Sequence, residues 1–143
     1  MKLGESKLGR TVFARLTEDE DLLEAITSQA KHAGIDAGFF ILIGTLKEAK
    51  LGFYRHGRYE AIEVEGPLEI VSCIGNISVK EQEILVHAHI SVANDKGEVF
   101  GGHLLSGCTV SLTGELTLVE TPDIRLRRRF DEVTRLHLLA SDE

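Results

Sequence analysis

The sequence predicts an α+β fold, with one main helix packed on an antiparallel, strongly bent β-sheet in a compact single domain. Three observations carry this. A length of 143 residues fits one domain, taken as residues 1–143, and can bury a core without staples. Only one long stretch has apolar residues at helical spacing. From Gly34 to about residue 120 the chain is a series of short runs rich in Val, Ile, Leu and Thr, punctuated by Gly, Pro and Asn.

The first element is a short strand at Thr11–Leu16. Thr17 then reads as an N-cap, and Glu20 three residues later completes a capping box. Leu22, Leu23, Ile26 and Ala30 recur at helical spacing and Gly34 ends the run, so the helix is predicted over Glu18–Ala33. Its acidic start suits the helix dipole. The stretch "DAGFFILIGTLKEAKLGFY" is apolar enough for a buried strand, and "GFYRHGRY" reads as an exposed hairpin around Gly57. Gly66-Pro67 suits a strand start or bulge, and Gly75-Asn76 reads as a turn-like interruption. The tail predicts a turn or short helix over Phe130–Thr134 and a last strand at Arg135–Leu139.

Composition excludes several classes. Hydrophobic residues at 43% and charged residues at 27% are an ordinary globular balance. The opening "MKLGESKLGR" has no apolar run of the kind a signal peptide needs, and no stretch reaches membrane-spanning length. Two cysteines, Cys73 and Cys108, make no disulfide framework and read as buried core thiols, with thiolate ligation left open. The expected location is the cytoplasm. A net charge of −7 argues against general binding to a nucleic-acid backbone, leaving a local patch as the way to do it. The dense basic stretch is "RLRRRF", with Arg125, Arg127, Arg128 and Arg129; it could meet phosphate, though Asp123, Asp131 and Glu132 dilute its field, or form ion pairs between subunits or with the acidic first turn of the helix.

The chemistry concentrates in "HAHISVANDKGEVFGGHLL", which holds three of the six histidines. His87 and His89 are two apart in a strand, so they leave the same face. A three-residue loop Asp95-Lys96-Gly97, with Gly97 left-handed, would set Asn94 opposite Glu98 and His89 opposite His103, with His87 on the diagonal. Gly101 and Gly102 would open space or mark a bulge. Three neutral imidazoles suit zinc and leave a fourth tetrahedral position. Protons would compete below about pH 6. The alternative is that His87 and His89 hydrogen-bond near a surface or subunit contact while His103 is a separate core polar group. A catalytic metal would need a base, and Glu69 is the nearest conceptual one; it reads rather as a charge that pairs across a subunit interface.

These stretches resemble the plants-and-prokaryotes conserved (PPC) domain, which follows AT-hooks in plant nuclear proteins and stands alone in most prokaryotic members. The residues that carry the resemblance are "GTLKEAKLGFY" at Gly44–Tyr54, "GPLEIVSCIGNIS" at Gly66–Ser78, "VHAHISVANDKGEVFGGHLLSGCTV" at Val86–Val110 and "ELTL" at Glu115–Leu118. The resemblance implies a homotrimer, metal binding by His87, His89 and His103, and the DNA-binding label that the family carries. An AT-hook is built around Arg-Gly-Arg-Pro, and Gly9-Arg10 and Gly57-Arg58 lack its flanking residues. The leading expectation is therefore a zinc-binding homotrimer. A DNA-associated regulatory protein and a small metal-dependent hydrolase are the alternatives.

Overall fold

The computed structural model describes residues 1–140. In chain order it contains β1 (Thr11–Leu16), α1 (Leu22–Ala33), β2 (Gly38–Arg55), β3 (Arg58–Lys80), β4 (Glu83–Ala93), β5 (Val99–Leu104), β6 (Thr109–Glu120), β7 (Arg127–Asp131) and β8 (Leu136–Ala140). One sheet holds all the strands in the order β1-β6-β2-β5-β4-β3-β7-β8. An additional β2–β3 pairing closes the ring β2-β5-β4-β3 on itself. The predicted α+β class and the strongly bent antiparallel sheet are thus both present, with the bend carried through to closure.

The length of β2 makes closure possible. Its first part pairs with β6 from Gly38–Glu120 to Glu48–Thr109, and its second part pairs with β5 at Leu51–Leu104 and Gly52–His103. Its other edge runs along β3 from Gly38–Ile77 to the hairpin end Arg55–Arg58. Register shifts at Leu42/Gly44 and Leu46/Glu48 bend this long hairpin. Bulges of this kind increase local twist, which a small closed sheet requires.

Side chains alternate between two faces. Phe40, Leu42, Leu46, Leu51, Cys73, Ile77, Ile90, Val92, Leu104, Leu116 and Leu118 point inward and are nearly or fully buried. Helix α1 sets Leu22, Ala25, Ile26 and Ala30 against that interior. Each large apolar side chain fully buried in this way contributes about 1.5–3 kcal/mol. The other face carries Phe13, Phe39, Ile41, Ile43 and Ile74, all substantially exposed.

The helix begins later than the capping box predicts. Asp21 is the N-cap, and its carboxylate accepts from the Glu24 amide at 3.0 Å. Thr17 and Glu20 do pair, the Glu20 carboxylate accepting from the Thr17 hydroxyl at 3.0 Å, but around a turn in which Asp19 is left-handed (φ 69°). The Glu20 amide goes to the Thr17 carbonyl, so the pair closes a loop instead of starting a helix. The C-terminal end is as predicted: Gly34 is left-handed at φ 66°, and the Ile35 amide reaches back to the Ala30 carbonyl at 3.0 Å.

Two other expectations change. Gly75-Asn76 interrupts nothing: both residues lie inside β3, opposite Ala88 and His87. A side chain at Gly75 would collide with the His87 carbonyl and with Ala88, so the glycine serves a close backbone approach. The turn expected over Phe130–Thr134 lies later in the chain: Phe130 and Asp131 belong to strand β7, paired with His137 and Leu136 of β8, and the hairpin turns between Asp131 and Leu136. Among the described residues no helix is long and apolar enough to cross a membrane.

Candidate metal centre

The histidines of "HAHISVANDKGEVFGGHLL" share one site. The β4–β5 ladder pairs His89 with His103, and Asn94 donates to the Glu98 carbonyl at 3.1 Å across the loop. Gly97 is left-handed at φ 75° and the Asn94 side chain accepts from the Lys96 and Glu98 amides, each at 3.0 Å. Loop chemistry thus fixes a register that puts the three rings on one face. The ladder ends at His89–His103, yet the His87 ring centroid is 5.0 Å from that of His103 and 5.4 Å from that of His89. One ligand atom from each of the three residues lies within 4.8 Å of the others.

The glycines before His103 have a local reason. A side chain at Gly102 would meet the Gly52 carbonyl at 2.8 Å, so close packing of β5 on β2 excludes one. No bulge breaks the β4–β5 register. Tyr59, next along the sheet, stacks on His103 with centroids 4.2 Å apart and planes at 23°.

Burial governs the electrostatics. Desolvation pushes His103 down to about 4, helped by the nearby His87, His89 and Arg128. His87 is lowered for the same first reason, then by Arg128 and His89. Both rings are therefore neutral at pH 7, as a metal ligand must be. Proton competition at these two rings is displaced to lower pH than at a free imidazole. Among the described residues, His103 Nδ1 is buried without a hydrogen-bond partner. A buried ring nitrogen left unpaired is costly, and a cation bound at that nitrogen would satisfy it. The donor set of three imidazole nitrogens fits zinc among the common divalent ions.

Not every expected residue is at this centre. Glu69 is exposed and pairs in register with Ala93, four residues along β4 from His89. At a strand rise of about 3.3 Å per residue that is roughly 13 Å away, so no general base from Glu69 stands beside the rings. Cys73 and Cys108 are buried and free. Burial raises Cys73 to about 12 and Cys108 to about 11, so neither is a ready thiolate. His32 and His56 are exposed elsewhere, and the His137 ring packs on Phe130 with centroids 5.3 Å apart.

The arginine stretch does not form a single phosphate surface. Arg128 turns inward, donating from Nε to Ser78 Oγ at 2.9 Å, from Nη1 to the His137 carbonyl at 2.9 Å and from Nη2 to Asn76 Oδ1 at 2.8 Å. The same Nη2 stands 3.3 Å from His87 Nδ1. This neighbour of the histidines was invisible in the sequence, because it depends on a hairpin docking across forty residues of chain. Beside the rings a groove lined by Phe39, Ile41, Ile74, Asn76, His87 and His89 holds about 510 Å³.

Fold and site together define a small closed-sheet domain that presents a three-histidine cluster on its outer face. Residues 3–122 match the Plants and Prokaryotes Conserved domain, and the chain belongs to that family. Its structure is similar to that of a plant- and prokaryote-conserved protein from Pyrococcus horikoshii, at 36% identity and a TM-score of 0.89 over 100% of this chain and 99% of that one. It is similar to a metal-containing protein from Archaeoglobus fulgidus, at 31% identity and a TM-score of 0.89 over 99% and 100% of the two chains. A protein from Ralstonia eutropha, named as a candidate DNA-binding protein, aligns at 27% identity with a TM-score of 0.78 over 90% and 89%. Among curated proteins, the bifunctional protein GlmU of a Synechococcus strain is 30% identical over 121 residues. That match takes in 84% of this chain but only 18% of the curated relative's length.

Proposed function

We propose that this chain is a zinc-binding protein that works as a homotrimer in the cytoplasm, with His87, His89 and His103 as the protein ligands. The convergence of one nitrogen from each histidine within 4.8 Å carries the reading. The orphaned His103 Nδ1 and the metal-containing relative from Archaeoglobus fulgidus support it. Three protein ligands leave a fourth position for water or an anion. Zinc there would act as a Lewis acid toward whatever fills that position. His103 is held in place by its stacking on Tyr59 and by the β4–β5 register.

The trimer is supported by the apolar outer face and by the family. Zinc content of untagged protein is the direct test, with His89→Ala as its control. About one zinc per chain is expected in the wild type, and none in the variant. Wild-type protein that takes up no zinc even when it is supplied would overturn the reading.

A DNA-associated role is the second reading, and the name of the Ralstonia eutropha relative is what favours it. A net charge of −7 and an inward-turned Arg128 weigh against it. Duplex binding that falls steeply with salt would support it, and absence of binding at low salt would remove it.

A further inference from the structure

The C-terminal hairpin β7–β8 lies beyond residue 122, where the family segment ends, yet it reaches into the family's histidine cluster. Two contacts link it to two of the three rings. Arg128 Nη2 faces His87 Nδ1 at 3.3 Å. At the far end of the hairpin, the Tyr54 hydroxyl donates to the Thr134 carbonyl, Tyr54 packs edge-on against Tyr59 at 5.4 Å, and Tyr59 stacks on His103.

The first contact has a definite chemical consequence. A guanidinium only donates, so His87 Nδ1 must be the acceptor and the neutral ring carries its proton on Nε2. A metal ligated through Nδ1 would need the lone pair that Arg128 uses. A metal ligated through Nε2 would move the proton to Nδ1 and set two donors against each other. Either way the Arg128–His87 contact and a metal on His87 exclude one another. A guanidinium beside a divalent cation adds repulsion, and the half-buried position limits screening by solvent.

We infer that β7–β8 is a cationic latch on the histidine site, in which Arg128 and the metal ion compete for His87, so that metal binding and docking of the hairpin oppose each other. This rests on the zinc reading and adds its regulation. The other Arg128 partners, Asn76, Ser78 and the His137 carbonyl, give the latch its docked position. Whatever loosens the hairpin raises metal affinity, and by linkage the metal loosens the hairpin by the same factor.

The test uses the full chain. Zinc affinity is measured by chelator competition for the wild type, Arg128→Met and His89→Ala. Methionine keeps an apolar stem and removes both donor and charge. Arg128→Met is expected to bind zinc at least about tenfold tighter, the size of one charge-assisted hydrogen bond. Amide exchange across residues 127–140 of the wild type is followed with and without zinc, which needs no variant to fold. Zinc is expected to speed it. Equal or weaker affinity in Arg128→Met, or exchange that zinc leaves unchanged or slows, would overturn the latch. If zinc binds the wild type and is lost in His89→Ala while both latch readouts stay flat, the metal site stands and only the latch falls. If neither wild type nor Arg128→Met binds zinc, both readings fall together.

Discussion

His103 shows how one residue couples site and stability. Its ring is half-buried, stacked on Tyr59, and held neutral down to about pH 4 chiefly by desolvation. In the unfolded chain the same imidazole takes a proton near pH 6.5. Above that pH the group is neutral in both states and its contribution is fully present. As pH falls from about 6.5 toward 4, the unfolded state binds a proton that the folded state refuses, so stability declines across that window. His87, lowered for the same first cause, adds to the slope in the same direction. Urea unfolding of metal-free protein between pH 7.5 and 4 should show the decline, measured as a falling midpoint. His103→Gln should flatten it. A wild-type midpoint independent of pH in this range would show that the folded rings protonate like free ones.

At the scale of elements, the start of α1 gives a sharp contrast between two acidic neighbours. The Asp21 carboxylate accepts from the Glu24 amide at 3.0 Å and from the Gly107 amide at 2.6 Å, so it caps the helix and ties it to the entry of β6. Asp21→Ala is expected to cost about 1–2 kcal/mol in denaturant unfolding. Thr17→Ala, on the residue with the better sequence signature, is expected to cost less than about 0.5 kcal/mol because it borders an exposed turn. Equal losses would mean that the helix extends back to Thr17 in solution. The same distinction explains what could be read from the sequence. His89 opposite His103 was legible because the loop Asp95-Lys96-Gly97 sets the register locally, and β1 because its alternation stands alone. Gly75-Asn76 was misread because turn propensity is local while the approach of His87 to Gly75 is not. The inward role of Arg128 is not legible within its basic run, because its partners, Asn76, Ser78 and His87, lie on strands far away in the chain.

For the whole molecule, the outer face of the sheet sets the question of assembly. Register carries a single row from Phe13 through Thr117, Ile41 and Ile74 to His89 and His103, across β1, β6, β2, β3, β4 and β5. Phe13 is 79% exposed, and Ile41, Ile43 and Ile74 are each more than half exposed. A contiguous apolar surface of this kind marks an association site. On the homotrimer reading this face is what the subunits bury, and Ile41 sits at its middle. Ile41→Lys removes no core side chain, because the inward neighbours Phe40 and Leu42 keep their burial. Light scattering should therefore find a trimer for the wild type and a single chain for the variant. The monomer's own unfolding free energy should change by no more than about 0.5 kcal/mol, although the assembly's concentration-dependent gain in Tm would be lost. Zinc separates assembly from the site: all three histidines come from β4 and β5 of one chain, so the monomeric variant should keep its metal. Loss of zinc together with the trimer would mean that a neighbouring subunit completes the site, and a wild type that is already monomeric would leave the apolar row without this partner.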